Sequence, residues 1–122
     1  MHVSIASLFT LFFVASYVLV AEETSFSRDV MTVLSKAGCN AGACHGNQNG
    51  KGGFKLSLWG EKPGSDFKAL RSGGRVDIDE PTGSKVLLKP TLQVKHEGKK
   101  RFETGSAEYR ILLDWIRAGA GE

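Results

Sequence analysis

Two cysteines and a histidine lie close together in the run Gly38-Cys39-Asn40-Ala41-Gly42-Ala43-Cys44-His45-Gly46. Two nearby thiols with an imidazole directly after the second are the mark of covalent c-type haem attachment, whose usual form is C-x-x-C-H. This chain carries C-x-x-x-x-C-H, two residues longer. In that chemistry Cys39 and Cys44 join the vinyl groups of one haem c. His45, anchored beside the second thioether, is carried under the iron as proximal ligand. The two extra residues must bulge so that both sulfurs still meet the fixed vinyl spacing, and Ala41, Gly42 and Ala43 are small enough to permit it.

Two other readings stay open. In an oxidising compartment the cysteines could pair as a disulfide, leaving His45 an incidental neighbour. The three side chains could also bind zinc, but a closed site wants a fourth ligand and the sequence offers few. Neither accounts for a histidine placed directly after the second cysteine.

The distal ligand has to come from further along. The chain has methionines only at positions 1 and 31, so none follows the motif. Met31 falls on an apolar helical face and reads as core filler. His96, 51 positions beyond His45, is the expected distal ligand, with ample chain between them to wrap a haem. Its bland reading is a surface histidine between Lys95 and Glu97. Lys95, Lys99, Lys100 and Arg101 form a basic cluster around it, either solvated or poised for haem propionates or an acidic redox partner. Trp59 and Trp115 read as core or haem-packing residues.

These groups need a frame. Ser27 reads as the cap of a helix from Arg28 to about Ala37, with Val30, Val33, Leu34 and Ala37 on one face and Gly38 as its stop. Phe54 to Leu58 alternates apolar with polar and predicts a short strand or extended segment. Ser65 opens a helix through Leu70. Asp79 to Thr82 opens another helical piece containing Val86, Leu87 and Leu88, stopped by Pro90. Ser106 caps the last helix, with Tyr109, Leu112, Leu113 and Ile116 at helical spacing and Ile111 and Trp115 widening the stripe. So broad a stripe predicts packing against two partners.

Residues Val3 to Ala21 carry no charge, and residues 1–21 read as a signal peptide or an N-terminal membrane anchor. Export to the periplasm, or to the outer face of the cytoplasmic membrane, follows from it. Any membrane contact would run through residues 3–21 if they stay uncleaved. Residues 22–122 form one small domain. With 15 glycines and no cysteines outside the motif, it lacks the means to hold a large core by itself. A buried haem would supply that body. The formal charge of +3 is too small for a nucleic-acid binder.

Phe26-Ser27-Arg28-Asp29-Val30 before Cys39, then Cys44-His45-Gly46, Gly52-Gly53-Phe54-Lys55-Leu56, Ser84 with Val86-Leu87-Leu88-Lys89, and Leu112 to Ala120 together resemble the planctomycete-type cytochrome c domain. The resemblance implies a mainly α, cytochrome c-like fold wrapped around one covalent haem, with first and last helices crossing beside it. It also implies maturation by haem-attachment machinery and service as a one-electron carrier, not a catalyst with its own substrate. The alternatives are a haem peroxidase-like or gas-binding protein with an open distal site, or a disulfide-closed non-haem interaction domain. The longer cysteine spacing and the place of His96 depart from the family's usual pattern.

Overall fold

The computed structural model describes residues 13–122. Most of the leader expected over residues 1–21 therefore lies outside the described residues. Its remainder, from Phe13, has no regular structure and is exposed. No helix among the described residues is long and apolar enough to cross a membrane.

The domain begins with a π-helical turn, Phe26–Val30, that runs into α1, Met31–Lys36. Its cap is Ser25, not Ser27. The Ser25 hydroxyl accepts from the Arg28 N–H at 3.4 Å, and the Asp29 carboxylate turns back to accept from the Ser25 N–H at 2.8 Å. Starting the helix there puts Phe26 in its first turn. Its buried ring lies 5.2 Å from that of Phe67, edge-on, and 5.5 Å from that of Trp115. The aromatic anchor, more than the better-placed serine, sets the helix start.

Three further helices follow: α2, Pro63–Arg71; α3, Lys85–Leu88; and α4, Ala107–Arg117. Single 3-10 turns lie at Lys51–Gly53, Leu58–Gly60 and Pro81–Gly83. The described residues contain no strand, so the expected mainly α class holds. Phe54 to Ser57 is extended but shares a single backbone–backbone bond with the cysteine loop, Leu56 N–H to the His45 carbonyl at 2.8 Å. α2 begins at Pro63, two residues before the expected Ser65, since proline suits the first helical position. The piece expected from Asp79 divides into the 3-10 turn and α3, separated by Ser84 in an extended conformation.

α4 follows the expected plan. The Ser106 hydroxyl accepts from the Tyr109 N–H at 3.3 Å. At the other end Gly119, at φ +102°, lets the Ala120 N–H reach the Trp115 carbonyl at 2.9 Å. The broad stripe packs on two sides, against the π turn with α1 and against α3. Val30, Leu34, Leu87, Leu112, Trp115 and Ile116 form the centre of the core. Lys36 pairs with Glu108 at 2.8 Å across the α1–α4 seam.

Asp66 ties α2 to the extended segment. Its buried carboxylate accepts from the Ser57 N–H and from the Ser57 hydroxyl, both at 2.6 Å. The two tryptophans part company. Trp115 is 1% exposed, whereas Trp59 is 61% exposed and left-handed at φ +51°. Trp59 is therefore not a core residue, because the tight turn that closes on the Asn40 carbonyl carries it outward.

Candidate functional site

α1 hands the chain directly to Cys39. Gly38, at φ +75°, turns the backbone so that the Cys39 N–H bonds to the Leu34 carbonyl at 2.9 Å, and the Gly38 N–H to the Ser35 carbonyl at 3.0 Å. This Schellman closure makes the first cysteine an extension of a packed helix. The loop from Cys39 to Gly46 then folds on itself. His45 N–H bonds to the Cys39 carbonyl and Gly46 N–H to the Ala41 carbonyl, each at 3.0 Å.

Asn47 staples this loop. Its amide donates to the carbonyls of Gly42 at 3.0 Å and Cys44 at 2.9 Å, while its oxygen accepts from the N–H groups of Asn49 and Gly50. The two extra residues of the motif thus form a hydrogen-bonded bulge, not a slack excursion. Beneath it Asn40 is fully buried, its amide donating to the Ser35 hydroxyl at 2.8 Å.

The His45 Nδ1 lies 2.7 Å from the Phe54 carbonyl. A carbonyl only accepts, so Nδ1 carries the proton, and in the neutral ring Nε2 presents a free lone pair. Burial lowers the pKa of His45, the bond to Phe54 works against that, and the charges of His96 and Arg75 add to the lowering. The imidazole is therefore chiefly neutral at pH 7, as a ligand must be.

Arg75 supports this arrangement from behind. Its guanidinium lies 4.4 Å from the centre of the Phe54 ring and donates to the Gly53 carbonyl at 3.1 Å and the Ser72 carbonyl at 2.8 Å. The Phe54 ring in turn packs at 4.6 Å on that of His45.

His96 is held in the same manner. Its Nδ1 lies 2.8 Å from the Lys99 carbonyl, so its neutral ring also leaves Nε2 free. Cys39, Cys44, His45 and His96 all line one cleft of about 750 Å³. That volume falls within the range of about 300–1,000 Å³ typical of ligand and cofactor pockets. Leu34, Phe54, Val86, Phe102 and Leu112 supply its apolar wall. Trp59 and Trp115 are not part of the lining.

Both cysteines are free thiols, half-buried in the cleft wall. Burial pushes the Cys39 thiol up to about 11, an effect that the nearby charge of Arg101 partly counters. The Arg101 guanidinium also approaches the Cys44 sulfur at 3.5 Å. Of the basic cluster around His96, Lys95, Lys99 and Arg101 face the cleft. Lys100 is drawn away to Glu103 at 3.1 Å.

Among the described residues no group of three or more His, Cys, Asp or Glu side chains is gathered as a closed metal centre would require.

Asn47, Asp66 and Arg75 were not singled out by sequence reasoning. Asn47 had a signal, an Asx-type residue opening a glycine-rich run. The roles of Asp66 and Arg75 depend on contacts 9 and 22 positions away, which no local pattern announces. Comparisons with protein-family models, with curated proteins and with solved structures found no match for this chain.

Proposed function

We propose that the protein is an exported mono-haem c-type cytochrome that passes one electron at a time between redox partners. The observation that carries this reading is the cleft itself. Its wall holds both cysteines of the C-x-x-x-x-C-H run and two histidines, each with Nδ1 tied to a backbone carbonyl and Nε2 free.

The residues present fit a haem. Cys39 and Cys44 would hold it through thioether bonds, His45 would bind its iron as proximal ligand, and His96 would serve as distal ligand. The aliphatic and aromatic wall suits the porphyrin faces, and the cationic side chains at the cleft suit its propionates. Bound there, the iron supplies a reversible one-electron couple. The protein's part is to orient both imidazoles through Phe54 and Lys99, to line the cleft with Leu34, Phe102 and Leu112, and to keep His45 neutral by burial. Second-shell bonds of this kind fix ring orientation and raise ligand basicity. Ligation by His45 and His96 would give a reduction potential below that of a histidine–methionine haem.

The test is an absorption spectrum of protein matured in an export-competent host with haem-attachment machinery. The native protein should give a low-spin, two-ligand spectrum, and haem absorbance should stay with the chain after denaturation and solvent extraction. His96→Ala should convert it to a high-spin, open-site spectrum. Survival of the low-spin bands in His96→Ala refutes the distal assignment. A native sample without haem bands refutes the haem, and colour that leaves the chain on extraction refutes its covalent attachment.

A further inference from the structure

The cleft is far more positive than the protein as a whole. α3 contributes Lys85 to its lining, and the segment that follows contributes Lys89, Lys95, Lys99 and Arg101. Lys51 and Arg75 add to these, against a single carboxylate, Glu97. The cations exceed the acids by six in a chain whose formal charge is only +3. None of the seven forms an ion pair among the described residues. A haem brings two propionates, which leaves an excess of four at the cleft.

The same segment exposes apolar side chains between its lysines. Leu92 and Val94, both more than two-fifths exposed, interrupt the run from Lys89 to Lys95. The loop is held in place: the Gln93 N–H reaches the Leu88 carbonyl at 2.9 Å and the Leu92 N–H reaches the Lys89 carbonyl at 3.0 Å. Leu92 is left-handed there, at φ +58°, in the turn after α3 where glycine is the usual residue. A large aliphatic group is thus kept in water on a strained, ordered backbone beside a cationic cleft. Apolar contacts ringed by charge describe a protein interface. Nucleic-acid surfaces of similar charge use exposed aromatic rings for stacking, and here the exposed side chains are aliphatic.

We propose that α3 and the loop from Lys89 to Arg101 form the docking surface for an acidic redox protein, with Leu92 and Val94 at the contact and the lysines steering the approach. The redox character of that partner rests on the electron-transfer reading above; the charge and shape of the surface do not. Complementary charge of this kind acts chiefly on encounter rate and salt dependence.

The probe is a fluorescently labelled, acidic [2Fe–2S] ferredoxin, titrated with the matured full chain and read by anisotropy at low and at moderate salt. Lys85→Glu/Lys89→Glu should weaken binding about tenfold or more at low salt and flatten its salt dependence. Lys55→Glu/Lys68→Glu, with the same charge change away from the cleft, should stay within about twofold of wild type. Leu92→Asn, which suits the left-handed backbone and so keeps the fold, should weaken binding with the salt slope unchanged. Equal loss in both charge variants, no binding by wild type, or tighter capture of a single-stranded oligonucleotide of equal charge overturns the proposal. Haem content is read separately from the absorbance of the same samples. A colourless chain that still binds refutes the haem alone, and a haem-loaded chain that fails to bind refutes the surface alone.

Discussion

Gly46→Ala should dismantle the cysteine loop, while Gly42→Ala, four residues earlier in the same loop, should be silent. A Cβ built on Gly46 falls 1.9 Å from the Asn40 carbonyl oxygen and 2.6 Å from its carbon, with the Ala41 oxygen at 3.0 Å. These are backbone atoms and cannot rotate away. The Asn40–Ala41 peptide must retreat by about 1 Å to reach even a tight contact. Three hydrogen bonds depend on that stretch: His45 N–H to Cys39, Gly46 N–H to Ala41 and Trp59 N–H to Asn40. At about 0.5–1.5 kcal/mol net each, their loss costs roughly 2–4 kcal/mol. In a domain of this size that lowers Tm by roughly 10–25 °C. Displacing Asn40 also moves Cys39 relative to Cys44, so on the proposed haem reading haem content should fall with stability. At Gly42 nothing lies within 4 Å of the added carbon and φ is not positive. Alanine there should be neutral or stabilising by up to about 1 kcal/mol, through loss of unfolded-state freedom. Thermal melts and haem content of the two variants are the assay. A Gly46→Ala protein within about 1 kcal/mol of wild type would refute the packing argument.

Asp66→Ala should cost about 2–4 kcal/mol, because it strips both bonds from Ser57 and leaves a half-buried backbone N–H without a partner; urea unfolding measures it, and a change below about 0.5 kcal/mol contradicts the assigned role. In the unmatured chain Cys39 should resist alkylation. With its thiol pushed up from 9.0 to about 11, the thiolate fraction near pH 8 is about a hundredfold below that of an ordinary cysteine. Its reaction rate should keep rising with pH until about 11, and Arg101→Gln should slow it further by removing a stabilising charge. A Cys39 rate that levels off near pH 9 would show the thiol to be solvated.

What could be read along the chain was whatever the chain settles over a few neighbours. The Ser106 cap, the stripe of α4 and its Gly119 stop are local hydrogen-bond and periodicity problems, and the structure solves them as the residues suggest. The proximity of Cys39, Cys44 and His45 is likewise a matter of spacing alone. The first helix starts two residues before the position its local pattern suggests, because Ser25 and Ser27 are equivalent caps locally. Only the burial of Phe26 against Trp115, 89 positions away, distinguishes them. Trp59 and Trp115 are the same residue type with opposite fates, decided by a left-handed turn in one case and a helix–helix seam in the other.

The candidate site divides in the same way. Which groups could do chemistry is legible along the chain: two thiols, an adjoining imidazole and a second histidine far downstream. Packing brings His96 into the same cleft as His45, turns Nδ1 of both rings to a carbonyl, and sets Arg75 behind Phe54. It also gathered cations from three separate segments around that cleft. The physical reason is range. Helix caps and covalent spacing are fixed by atoms a few bonds apart, whereas the placement of a loop residue across 51 positions follows from where the intervening helices bury their apolar faces.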